Sequence, residues 1–219
     1  MLEHLVEPVD LLRQLRESMA KDNAIIFFEV PNGLYTLDRL GIWDIIHEHI
    51  SYFTPSSLVR AFQEAGFAAR HTEPAFDDQY LWIEASVNGR PAEGPPTPPP
   101  DELYKSFGER FNEKLSLWRR RIQQLRSDNK SVVVWGGGAK GVMFLNLLGV
   151  NAGAGIDWVV DINPRKQGHF IPLTAQKIVG PEHLTRDPPD LVVVMNSEYE
   201  REIKAMLDDI RIACDVESA

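Results

Sequence analysis

Residues 131–141 read SVVVWGGGAKG, and the reading of this stretch decides the fold. A strand at 131–135 runs into a glycine turn, and a helix follows over 139–148. Beyond it come strands at 156–161 and 191–195 and a last helix at 198–209. Strands alternating with helices predict an α/β unit on a parallel sheet. Gly136, Gly138 and Gly141 fit G-x-G-x-x-G, and Asp161 closes the next strand 20 residues after Gly141. In that layout glycines let the backbone approach a pyrophosphate, the helix N-terminus favours its charge, and the acid can take a ribose hydroxyl. Lys140 adds a cation at the turn. A phosphate-bearing ligand and a tight turn without a ligand both fit, and the glycines do not decide between NAD, another nucleotide and a nucleotide sugar. DINPRKQG at 161–168 sets Asn163, Arg165 and Lys166 at the carboxyl end of the strand, where the two cations could meet phosphate or be ordinary loop residues.

Upstream of this unit, 102–126 carries Leu103, Phe107, Phe111, Leu115, Trp118, Ile122 and Leu125 at steps of three and four, a packing face on a long helix. Arg119, Arg120 and Arg121 fall outside that stripe and read as solvated. Before the helix lies PAEGPPTPPP at 91–100, whose prolines remove backbone donors and favour an extended spacer. The chain therefore divides into 1–90, a linker at 91–100, and 101–219. In the first part Pro8 opens a helix with Val9, Leu12, Leu15 and Met19 on one stripe. AIIFFEV at 24–30 is a strand apolar enough for burial on both faces of a parallel sheet, stopped by Pro31-Asn32-Gly33. Thr54-Pro55-Ser56-Ser57 supplies capping hydroxyls for a helix ending near Gly66. Strands at 68–73 and 80–87 flank Asp77-Asp78.

A formal net charge of −9 argues against a nucleic-acid surface, without excluding one anionic ligand site. The single cysteine, Cys214, suits a reducing compartment. No apolar run reaches the ~18 residues of a membrane span, and no signal peptide is visible. The expectation is a cytoplasmic protein without a membrane partner.

Two histidines flank a glutamate in IIHEHISYF at 45–53. His47 and His49 lie two apart, with neither C-x-x-C nor H-E-x-x-H nearby, so no metal centre is expected. Groups that titrate near neutrality beside a carboxylate suit acid–base work, with Glu48 orienting a histidine; a structural turn fits as well.

Taken together, LEHLVEPVDLLRQL, FFEVPN, IIHEHISYFTPSSLVRAFQEAGF, the GGGAKG turn and DINPRKQG resemble the S-adenosylmethionine-dependent sugar C-methyltransferases. The match covers nearly the whole chain outside the linker. The resemblance implies a partial class I methyltransferase (Rossmann-like) half followed by a second Rossmann-like parallel-sheet domain. It implies methylation of a carbon next to the ketone of a nucleotide-linked keto-sugar: a base removes a proton and the enolate takes the methyl group. His49 matches the family's base, Glu48 stands beside it, and His4 matches a second histidine of that site. Tyr52 or His4 could donate to the oxygen. The glycine turn would face the nucleotide diphosphate rather than hold NAD.

The sequence departs from the family at Ile46, where a tyrosine often stands, and at DDQYLWIE, where a glycine-rich segment is usual. The match opens after the family's fourth strand, so 1–90 would hold the last three strands of a seven-stranded sheet. The site for S-adenosylmethionine would then be incomplete, as in a truncated or split enzyme. The open edge would be covered by a second copy of the chain or by the missing N-terminal half. Two other readings stand beside this one: a non-catalytic nucleotide-sugar-binding module and an NAD-binding oxidoreductase domain.

Overall fold

The structure, a computed structural model, describes residues 1–19, 24–90 and 96–219. Residues 91–95 of the expected linker lie outside the described residues, whereas 96–100 run without regular structure into a helix. The chain divides into two units, Met1–Arg110 and Phe111–Ala219. No helix among the described residues is long and apolar enough to cross a membrane.

The first unit contains α1 (Pro8–Ser18), β1 (Ile25–Pro31), α2 (Gly33–Asp38), α3 (Pro55–Glu64), β2 (Ala68–Ala75) and β3 (Tyr80–Ser86). Its sheet has the order β1-β3-β2, and both pairings are antiparallel. Burial of β1 on both faces of a parallel sheet is corrected by this arrangement. β1 lies at the sheet edge, with Ile25 53% and Phe27 59% exposed, while Ile26, Phe28 and Val30 turn toward α1 and α3. The physical reason is that helices cover one sheet face only among the described residues, so an apolar run becomes half-exposed. On the bare face Phe27 stacks on Trp82 at 5.6 Å, and His71 lies 4.8 Å from the same indole.

Thr54 caps α3 as expected: its hydroxyl accepts from the Ser57 amide, the Ser57 hydroxyl accepts from the Thr54 amide, and Pro55 opens the helix. The inner face of α3 buries Leu58, Val59, Ala61 and Phe62. Complete burial of Leu58 and Phe62 contributes about 1.5–3 kcal/mol each.

The long helix α4 (Asp101–Ser127) runs through the boundary between the units. In the first unit Arg110 donates to the Leu37 and Asp38 carbonyls at 2.9 and 2.7 Å, the end of α2. In the second, Arg119 donates to the Leu147 carbonyl at 2.6 Å, at the end of α5 (Ala139–Leu148). Arg119, expected to be solvated, thus satisfies orphan carbonyls and offsets a helix dipole.

The second unit also holds β4 (Val132–Trp135), β5 (Ile156–Val160), β6 (Lys177–Val179), β7 (Leu191–Val194), α6 (Glu200–Asp209) and β8 (Asp215–Ser218). All its strands are parallel, in the order β6-β5-β4-β7-β8. Strands are added outward from β4 first on one side and then, from β7, on the other, and the glycine turn sits at that switch point, where open α/β sheets take ligands. The expected α/β class with a parallel sheet is therefore what this unit shows.

Candidate functional site

Two places gather the residues singled out in the sequence, one in each unit. In the first unit the 45–52 loop folds back onto the N-terminal turn Leu2–His4. The Ile50 and Ser51 amides donate to the Glu3 carbonyl at 2.7 and 3.1 Å, and His4 Nδ1 donates to the Glu48 carbonyl at 2.9 Å. The loop is tied to the end of β1 as well, through the Gly33 amide donating to the Phe53 carbonyl at 2.7 Å. These bonds bring His4 and His49 together with ring centroids 5.0 Å apart. Tyr52 also meets His49, edge-on, at 6.1 Å between ring centroids.

His49 is half-buried, and its Nδ1 is buried without a hydrogen-bond partner. Burial pushes its pKa below the usual histidine value; Glu3 pulls it up, His4 adds to the depression, and Asp44 and Glu48 pull it up. The net depression leaves a neutral imidazole at pH 7, which can accept a proton. Burial raises the Tyr52 phenol, and Asp44 raises it further, against a backbone hydrogen bond from Ile46. Tyr52 therefore stays protonated and can donate. The same tyrosine lines a cavity of about 470 Å³ with Thr36, Leu37, Ile45, Tyr104 and Phe107.

Of the expected residues, His4, His49 and Tyr52 come together. Glu48 contributes its backbone carbonyl, while its exposed carboxylate raises the His49 pKa as the last of the causes acting on that ring. His47 is exposed and lies outside the cluster. The carboxylate at the centre is Glu3, which sequence reasoning passed over although it precedes His4. It is 9% exposed and takes the Met1 ammonium at 2.6 Å. Burial raises its pKa, but the ammonium, a backbone bond and His4 outweigh that and hold the carboxyl below its usual range. The expectation of no metal centre rested on two histidines two residues apart. The fold adds Glu3, and one ligand atom each from Glu3, His4 and His49 lie within 4.8 Å of one another.

In the second unit, Gly136 adopts φ +121°, and a Cβ on Gly141 would run into the Gly136 carbonyl oxygen, so both positions need glycine. Gly138 caps α5 without any side-chain bond. Asp161 is buried and accepts from the Gly137 amide, the Asn163 amide and Lys166 Nζ, each at 2.9 Å. Its carboxylate holds the turn closed, the place where a ribose hydroxyl was expected. Asn163 turns its own oxygen to the Arg165 amide at 3.0 Å, and Lys140 lies in the first turn of α5.

The first unit's described residues contain no G-x-G-x-x-G turn of the kind seen in the second unit. The glycine that follows a strand in the first unit is Gly33, buried under the Phe53 backbone at 3.1 Å from where its Cβ would stand, with Asn32 capping α2. Gly33 also lines the cavity that Tyr52 opens onto.

Residues 99–214 match the C-methyltransferase C-terminal domain, and residues 1–72 match a methyltransferase domain. The C-methyltransferase NovU of Streptomyces niveus is 25% identical over 213 residues, covering 91% of this chain. The chain spans about half the length of that relative, 50%. A crystal structure of RSP, a Rex-family repressor, overlaps at 13% identity and TM-score 0.32, over 96% of this chain and 84% of that one. The RSP complex with β-NADH gives 11% and 0.29, over 98% and 85%. Likenesses this weak carry no argument.

Proposed function

The chain belongs to the family of the C-methyltransferase C-terminal domain, and from that premise we propose that it serves the methylation of a carbon in a nucleotide-linked keto-sugar, with S-adenosylmethionine as donor. The observation that most supports this reading is His49: a neutral imidazole set against a protonated phenol that opens onto a cavity. His49 takes the proton from the carbon beside the ketone. The C–H electron pair moves into the carbon–carbon bond, and charge develops on the ketone oxygen. Tyr52 donates to that oxygen, and burial strengthens the bond as charge grows. Glu3 favours the charged ring once the proton has arrived, as Asp44 and Glu48 do, while His4, fixed by the Glu48 carbonyl, packs against it. The donor supplies an electrophilic methyl group, and the work of His49 and Tyr52 ends at the enolate. In the second unit, the reading gives the amides at the start of α5, with Lys140, a phosphate.

Proton abstraction can be read without the donor. In deuterated water, a dTDP-linked 4-keto-deoxysugar should lose its NMR signal next to the ketone when the chain is added. His49→Gln should slow this exchange by about 10²–10⁴-fold, the usual contribution of a general base. Equal exchange by the variant and the unaltered chain would remove His49 from the role.

A further inference from the structure

The geometry points to a binding site for a divalent transition-metal ion of the zinc class at Glu3, His4 and His49, whose occupancy silences His49 as a base. Tetrahedral bonds of about 2.0–2.1 Å set ligand atoms roughly 3.3 Å apart. Glu3 Oε1 and His4 Nε2 already stand 3.5 Å apart, close to that bite. One ligand atom of His49 lies within 4.8 Å of both, so closing on an ion needs a shift of roughly 1–1.5 Å, which side-chain rotation of His49 on its loop can supply.

Hydrogen bonding agrees with the distances. His4 Nδ1 donates to the Glu48 carbonyl, which leaves Nε2 on the side of Glu3. A backbone carbonyl holding the far nitrogen of a ligating histidine is the usual outer contact of metal sites. Glu3 presents Oε1 to His4 Nε2, the side on which an ion would sit. His49 brings a buried Nδ1 that the protein leaves unpaired. Two imidazoles and one carboxylate select zinc, cobalt or nickel over magnesium and calcium, which prefer oxygen ligands throughout. Three protein ligands leave a fourth position for water or a substrate oxygen.

A neutral imidazole has one lone pair in its plane. Once the ion holds it, no proton can be accepted there. This silencing rests on the proton-abstraction reading above, whereas the site itself does not.

The test is to titrate the full chain with Zn²⁺ by calorimetry and with Co²⁺ by visible absorption. One ion per chain with the strong bands of tetrahedral cobalt is expected. His4→Ala, His49→Ala and Glu3→Gln should each weaken binding at least tenfold, and His71→Ala should leave it unchanged. Glu3→Gln keeps side-chain shape, so its loss of binding would not reflect unfolding. Absence of a one-to-one ion, or His4→Ala and His49→Ala binding like the unaltered chain, overturns the site. Saturating Zn²⁺ should cut hydrogen exchange at least tenfold, with recovery on chelation; exchange that persists overturns the silencing. A chain that binds zinc yet never exchanges hydrogen after chelation overturns the base role and leaves the site standing.

Discussion

His49 concentrates the chemistry because several weak effects act on one ring. Desolvation is the largest and it depresses the pKa, so the sign of the pH dependence follows. Exchange catalysed by His49 should be flat through pH 7 and above. It should fall as pH drops through the depressed value, with its knee below the usual histidine pKa of about 6.5. An NMR exchange series from pH 4.5 to 8 would show this, and a knee above 7 would contradict the cause assigned. The unfolded chain binds the proton more readily than the folded one. Stability from this group is therefore complete above about 6.5 and is lost as pH falls from there toward the folded value. Much of this residue was legible: HEH beside apolar neighbours suggested a proton acceptor. Glu3 was not, because it is brought to His49 by a loop closure across 46 positions, and no local spacing records such a contact.

At the scale of elements, sequence was most readable where a helix carries its own start signal and an apolar stripe. α3 has both, and it forms where Thr54, Pro55 and Ser57 placed it. Truncating Phe62, which is fully buried and meets Phe28 and Phe67, should cost about 3–5 kcal/mol in denaturant unfolding. Thr54→Ala, which removes only the cap, should cost about 1 kcal/mol. Strand β1 was legible as a strand but not as an edge, since its apolar run says nothing of which face a helix will cover. β6 and β8, with three and four residues, are too short for periodicity to register and owe their form to pairing with β5 and β7. α2 was likewise invisible; six residues begin where Asn32 caps them and end where Arg110 takes up the carbonyls.

For the molecule as a whole, each unit closes its own apolar cluster. Val133, Val160, Val192, Ile203 and Leu207 gather around the parallel sheet of the second unit. Residues 101–219 alone should therefore fold, with a single cooperative transition by circular dichroism. A gradual, non-cooperative loss of signal would show that this sheet depends on the first unit. Six prolines in ten residues remove the donors that regular structure needs, which is why the sequence suggested a boundary at 91–100, whereas the two units divide at Arg110. The passage of α4 through that division was not legible, since its stripe is unbroken and nothing local marks where one set of neighbours gives way to another.

The row of Phe27, Trp82 and His71 on the bare side of the first sheet has an optical consequence. Trp82 stands partly in water between a phenyl ring and an imidazole, and its emission should answer to whatever lies over it. A polypeptide laid on that face would shift the emission to shorter wavelength. Trp82→Phe, which leaves the other four indoles in place, should abolish the change. The chain thus carries its own fluorescent gauge of whether that face is covered, readable without any label.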